Sequence, residues 1–513
     1  MLTEQSSLTY FARREFSDAR SCVDWLESVP LADTANAHEM VAAQIGLLAR
    51  IELSALERLR ILEVLYQPAG YLQAELARRC SGRALPLSIA EYSVWNSVLD
   101  LWQAMYAGYL ACFQFCVTGG TRLASHAPLV ALRCVDLASA AIREHHRVYR
   151  EIPSTLWAQL NDVYEAVERH GLATVGVADP LDATRPERTS AAAFGRAQLA
   201  HLSNPYTMSP RQMTIMYRWT GLWDSLIGID SCPPLPGMTS VLAVDLNAAA
   251  PSMPARQIVA TPAVRYLGLE RLGHALRRTL TLLREGHDPA SLGLGDDCRQ
   301  PGTERLLTLL YIQWCGAGIG QLTSSRERIE DARACVGFAA ALRQIESESE
   351  AFRSDTSAIR TAYGPLTEHW HILNVSAPGF IGVTRGPECD ARIEHHQLVA
   401  LKRRSSSAFQ LGVTQWLKLE DDGDLSIGVR VWPGTPQLMS FSLTGEDEVA
   451  EAKAVLLPAA LETGAPATLV LAPGVFRPGL RIELLSGTRC AARLTRLSER
   501  GADFERAVFE FVH

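Results

Sequence analysis

A change of hydrophobic period constrains this 513-residue chain more than any other feature. From Phe16 to about Gly320, apolar residues recur at three- and four-residue steps, the spacing of amphipathic helices. Beyond Arg326 the pattern moves to alternation. Its cleanest case puts Leu425, Ile427, Val429 and Val431 on one face and Ser426, Gly428 and Arg430 on the other. Asp421-Asp422-Gly423-Asp424 just before it is a tight hairpin signal. Such a chain must bury helices in one place and curled strands in another, and its length asks for two or three domains.

The helical part can be read in segments. Met40 to Glu52 carries Val41, Ile45, Leu48 and Ile51 on one face; Leu53 to Gln67 continues with Leu56, Leu59, Leu62, Leu65 and Tyr66. Pro68-Ala69-Gly70 is expected to break or kink that run. Ser88 followed by Glu91 is a capping box and opens a long apolar helix through Trp95, Leu99, Trp102 and Tyr106. Further helices are expected over 129–146, 154–170 (capped by Ser154-Thr155), 191–202, 209–226, 265–284 and 304–315. Residues 177–189 read as a polar loop, and the proline-rich stretch 232–262 as an insertion. Short loops between helices and the lack of a strict repeat predict an all-α bundle or irregular solenoid.

Ala334 to Ile345 reads as a first strand, although its alanines suit a helix equally; 346–367 reads as a loop or short helix. Strands follow at 369–374, 379–384, 397–402, 409–417 and 425–431, closed by Pro433, Gly434 and Pro436. A last β-rich unit has strands near 468–471, 480–485, 491–497 and 507–512. The expected architecture is therefore multidomain α+β: a helical domain over 1–320, a small β barrel over 326–433 and a second small β-rich unit over 438–513.

Composition narrows the function. A net charge of -7, with no basic run longer than Lys402-Arg403-Arg404, argues against general nucleic-acid binding. Eleven dispersed cysteines without a CxxC pair read as reduced thiols in a cytoplasmic protein. The N-terminus has no apolar signal-peptide core, and the most apolar stretch, 94–117, contains Asp100, Gln103 and Gln114, so a buried helix is expected there rather than a membrane span. Catalytic motifs such as GxSxG and HExxH are missing, and Gly316 to Gly320 lacks the rest of a phosphate loop. His369 and His371 share a strand face but have no third ligand in reach, so no metal is expected. The expectation is a non-enzyme.

One motif carries chemistry. Trp370 to Gly382 contains Asn374, Ser376 and Gly379 in the pattern Asn-x-Ser-x-x-Gly, between strands. With its strand context this stretch resembles the PilZ family, bacterial small-barrel domains of which many bind cyclic di-GMP. That family also carries RxxxR just before its first strand. Here the arginines in that place are Arg326, Arg328 and Arg333, and Arg328 to Arg333 is one residue too long. The resemblance covers about 326–433, and the rest looks like uncharacterised proteobacterial proteins that end in such a unit. It implies a cyclic di-GMP site formed by Arg326, Arg328, Arg333, Asn374, Ser376 and Gly379. Arginine forks suit phosphate oxygens and the guanine O6/N7 edge, Asn and Ser suit the base edge, and glycine permits close backbone approach. A bacterial signalling or adaptor protein follows, one that passes a cyclic di-GMP signal to a protein partner. The alternative is a nucleotide-independent scaffold with a degenerate barrel. An enzyme with its site in the helical part is a third reading.

Overall fold

The computed structural model describes residues 15–119, 123–179, 181, 187–233, 241–299, 302–316, 329–353, 367–376, 379–443, 451–460, 464–486 and 488–512. The chain divides into two compact units, one of residues 1–82 and 88–321, the other of 83–87 and 322–513. Helices fill most of the first, and the second holds two closed β barrels.

In the first unit α1 (Ala19–Ser28), α2 (Thr34–Leu48), α3 (Ala55–Cys80), α4 (Ile89–Thr118), α5 (Ala127–Arg147), α6 (Ser154–Arg169), α7 (Ser190–Leu202) and α8 (Pro210–Leu222) follow one another. A small sheet then forms from β1 (Gly228–Asp230), β2 (Leu242–Asp245), β3 (Met253–Pro254) and β4 (Val264–Gly268), in the order β1-β4-β2-β3. Helices α9 (Glu270–Arg284) and α10 (Thr303–Cys315) complete the unit.

Local signals explain most of these ends. The Ser88 capping box forms as expected, and so does one at Ser209, with Pro210 in the first turn of α8. Two signals fail. Helix α3 runs straight through Pro68, because Leu65, Ala69 and Leu72 around it are all buried and this packing outweighs the single lost amide donor. Ser154 is the first residue of α6 rather than its cap; Pro153 holds the cap position, with no side-chain hydrogen bond. Helix α5 is the core element of this unit, buried along nearly its whole length. Trp95 on α4 donates its indole N–H to the Glu144 carbonyl at 3.0 Å, and Trp314 on α10 donates to Ser203 Oγ at 2.9 Å.

In the second unit β5 (Glu330–Val336) leads into α11 (Phe338–Arg353). The stretch expected as one strand, 334–345, is thus strand only to Val336 and helix from Phe338 on. Gly337, at φ +91°, makes the turn, and Asp503 accepts the Phe338 and Leu398 amides at 2.6 and 2.9 Å to start the helix. Then come β6 (Glu368–Ser376), β7 (Phe380–Arg385), β8 (Leu398–Arg403), β9 (Gln410–Leu419) and β10 (Leu425–Val431), closing a six-stranded barrel in the order β10-β7-β6-β5-β8-β9. The predicted hairpin before β10 is present, with Gly423 at φ +92° and the Glu420 amide donating to the Asp424 carbonyl.

The second barrel is built from β11 (Gln437–Leu443), β12 (Glu451–Leu457), β13 (Thr468–Leu471), β14 (Arg481–Ser486), β15 (Thr488–Arg500) and β16 (Glu505–Phe511), in the order β11-β12-β13-β16-β15-β14. Closure leaves neither barrel with a bare edge. Ala341 and Ile345 of α11 sit in one apolar core with Leu398, Leu411 and Val413 of the first barrel and Val455 and Val470 of the second. Trp432 and Phe504 meet edge to face in that core, 5.2 Å between ring centroids. Residues 83–87 belong with this unit through a backbone pair between Leu85 and Ile393.

Candidate functional site

The six residues singled out on the first barrel divide by position. Asn374 and Gly379 lie at the β6–β7 hairpin, beside a bulge at which Leu373 is the extra residue. The Asn374 side-chain oxygen accepts the Gly382 amide at 3.1 Å, so this amide serves the hairpin itself. Gly379 has φ +79°, bonds its carbonyl to the Val431 amide at 2.7 Å, and has the Val431 carbonyl oxygen 2.9 Å from where a Cβ would stand. Both demands exclude a side chain there. Ser376 ends β6, and its side chain is not among those described.

Arg333 pairs in register with His369 and Lys402, about 15 Å along β6 from the hairpin at ~3.3 Å per residue. Its guanidinium lies 3.9 Å from Glu348 of α11 and over the Phe409 ring. Arg326 and Arg328 lie outside the described residues. Ile329, which follows them, donates to the Ile372 carbonyl at 2.8 Å, so β5 begins at the same end of the barrel as the hairpin. His371 bonds Asp331 at 2.8 Å, and among the described residues no group of three or more His, Cys, Asp or Glu could hold a metal ion.

A second constellation lies wholly in the helical unit. A pocket of about 360 Å³ opens between α3, α4, α5 and α7. Its walls include Tyr66 and Gly70 of α3, Trp102 of α4, Asp136, Arg143, Glu144 and Arg147 of α5, Arg188, and Arg196 of α7. Four guanidiniums thus face two carboxylates and two aromatic rings. Helix α5 supplies the arrangement by spacing. Arg133, Asp136, Ala140, Arg143 and Arg147 fall at three- and four-residue steps and therefore share one face of a largely buried helix.

The floor is rigid. Arg188 forks Asp136 with two bonds of 2.8 Å, and Arg196 adds a third of 2.8 Å. Burial pushes the Asp136 carboxyl up, but Arg188 and Arg196 outweigh it and hold the group below the usual carboxylate range. Beneath lies Arg133, 1% exposed, which bonds Asp179 at 2.6 and 2.7 Å and Glu63 at 3.0 and 3.1 Å, with its charge 4.1 Å above the Tyr66 ring.

The mouth is looser. Arg143 and Arg147 are 33% and 26% exposed, and each reaches Glu144 only at 3.4 Å. Arg143 also stands 5.8 Å from the Trp102 ring. Trp102 is buried, and its indole N–H has no hydrogen-bond partner among the described residues. A pocket near the lower end of the ~300–1,000 Å³ range of small-molecule sites, with loosely held arginines at its mouth, suits a planar anion rich in acceptors.

Sequence reading missed this pocket. Its one local trace was the charged three- and four-residue spacing on α5.

Comparison with known families finds matches in both units. Residues 20–234 match the family model described as Cyclic-di-GMP receptor FimW, N-terminal domain, and residues 444–512 match the FimW C-terminal beta-barrel domain. Neither match covers 330–431, where the resemblance to PilZ proteins lay, so the families that match are not the one expected there. No curated protein and no solved structure matches the chain. Among the described residues no helix is long and apolar enough to cross a membrane. The N- and C-terminal regions of the chain thus match the FimW family, whose N-terminal domain is described as that of a cyclic-di-GMP receptor.

Proposed function

We propose that this protein is a cyclic di-GMP receptor that works as a signalling adaptor, and that the dinucleotide binds in the arginine pocket of the helical unit. The observation that carries this is the placement of Arg143, Arg147, Arg188 and Arg196 around Trp102 and Tyr66, inside the segment that matches the receptor's N-terminal domain. Cyclic di-GMP brings two phosphates and two guanines. Arg143 and Arg147 at the mouth, held only loosely by Glu144, suit a phosphate or the O6/N7 edge, while Trp102 offers a stacking face. The output is contact with a protein partner. Exposed Arg477, Arg481, Arg493 and Arg496 on the second barrel suit an acidic protein surface.

Calorimetric titration of the whole protein with cyclic di-GMP, with GTP and cyclic di-AMP as controls, tests this. Saturable cyclic di-GMP binding is expected, weakened by about 10- to 100-fold in Arg147→Ala, the value of a hydrogen bond to a charged group. No saturation at about 100 μM would leave the nucleotide-independent scaffold as the working description.

A second reading puts the dinucleotide at the rim of the first barrel, on Arg326, Arg328, Arg333, Asn374, Ser376 and Gly379. The start of β5 beside the β6–β7 hairpin favours it. Loss of binding in Arg328→Ala with full binding in Arg147→Ala would select that rim over the helical pocket.

A further inference from the structure

The pocket holds one group that a simple anion receptor does not need. Glu144 sits between Arg143 and Arg147, its side chain only 2% exposed. Its backbone is fixed, since the carbonyl takes the Trp95 indole N–H at 3.0 Å. Its carboxylate is poorly served. Oε1 lies 3.4 Å from Arg143 Nε and Oε2 lies 3.4 Å from Arg147 Nη1, both at the long end of hydrogen bonding. Asp136, two turns (about 12 Å) earlier on the same helix, shows the contrast with its three bonds of 2.8 Å. A carboxylate accepts at about four sites, and a buried one is costly unless those sites are filled. Glu144 therefore keeps acceptor capacity on the pocket wall.

We propose that Glu144 reads the Watson–Crick edge of a guanine seated in the pocket and makes the site selective for guanine over adenine. This rests on the pocket being the dinucleotide site. Guanine presents N1–H and an N2 amino hydrogen side by side, two parallel donors for the two carboxylate oxygens. Adenine presents an acceptor at N1 next to its N6 amino group, so it would set a lone pair against a buried negative charge. The same pairing leaves the guanine O6/N7 edge turned away from Glu144, toward donors elsewhere on the pocket wall. A site built around donors on its ligand rejects analogues that lack them far more strongly than an apolar slot rejects a shape.

The test is calorimetric titration of the full-length protein with cyclic di-GMP, cyclic di-IMP and cyclic di-AMP, in wild type, Glu144→Gln and Arg147→Ala. In the wild type, affinity is expected to fall in that order, because inosine keeps N1–H and loses the N2 donor. Glu144→Gln should weaken cyclic di-GMP by about 10- to 100-fold and leave cyclic di-AMP unchanged or tighter, so that the preference collapses. Arg147→Ala should weaken all three ligands alike. A Glu144→Gln protein that keeps the wild-type preference, or loses all three ligands equally, overturns the role of Glu144 and leaves the pocket standing. Wild-type affinities untouched by Arg147→Ala overturn the pocket itself, and this inference with it. Melting curves accompany each variant. Should Glu144→Gln not fold, Glu144→Asp, which keeps the charge and withdraws the oxygens by one methylene, is expected to narrow the same preference.

Discussion

Replacing Arg133 by Met tests whether the pocket rests on a prestressed ionic floor or on packing alone. Arg133 is 1% exposed and makes four N–H···O bonds of 2.6 to 3.1 Å to Glu63 and Asp179. Asp179 is itself 3% exposed, so it cannot recover the loss by hydration. Met keeps most of the stem volume, which limits any cavity. What remains is a buried carboxylate stripped of its tightest partner, keeping only the Leu181 amide at 3.0 Å and the more distant Arg188, a loss of up to about 3–5 kcal/mol. The lost cation–π contact to Tyr66 adds roughly 0.5–2 kcal/mol, and Arg188, 3.7 Å from Asp179, returns part of it.

The expected net loss is about 3–5 kcal/mol, or roughly 6–20 °C in Tm for a unit of this size. Several transitions are expected in so long a chain, so the helical one is followed by circular dichroism at about 222 nm rather than by one global free energy. Arg133→Met/Asp179→Asn should recover part of the loss, because it removes that charge. A shift worth less than about 1 kcal/mol in Arg133→Met, or a double variant that is merely the sum of its parts, would refute the ionic account.

Other outcomes follow from the same contacts. Gly379→Val should lower the melting temperature of the second unit by the equivalent of about 1–3 kcal/mol, since φ +79° and a carbonyl oxygen 2.9 Å from the new Cβ both oppose a side chain; an unchanged melt would contradict the hairpin geometry. Burial, with help from His201 and His145, holds His146 well below its ordinary value, and burial does the same to a lesser degree for His38. The unfolded chain therefore takes up protons that the fold refuses, so the helical unit should lose stability as pH falls through about 6.5. A melting temperature that is flat between pH 7.5 and 5.5 would count against this (~1 unit either side of the free imidazole). Arg481 stands directly opposite Arg493 in the second barrel, so Arg481→Glu should stabilise that barrel by about 0.2–1 kcal/mol and, at the same time, weaken capture of an acidic partner.

The sequence made the architecture readable because both periods persist over long runs. It misled where one tertiary contact decided the outcome. Pro68 continues a helix because its neighbours are buried, and the stretch after Val336 turns helical because Asp503, far along the chain, accepts the Phe338 amide. The barrel motif was conspicuous because Asn374, Ser376 and Gly379 are neighbours in sequence. Yet Asn374 and Gly379 each have a full structural reason for their identity in the hairpin, so the motif alone cannot separate a ligand loop from a well-made turn. The pocket is the opposite case. Tyr66, Trp102, Arg143 and Arg196 come from four helices, and no local pattern joins them. Its one trace was the run of charges through Arg133, Asp136, Arg143 and Arg147 on a helix that is largely buried. A buried helix carries such a stripe only where other charges or a ligand meet it. Arg133 and Asp136 are met by protein carboxylates and guanidiniums at full bonding distance; Arg143 and Arg147 are met at 3.4 Å by Glu144. The half of the stripe that protein groups serve tightly forms the floor, and the half they serve loosely is where the proposed ligand would find donors and acceptors still to fill.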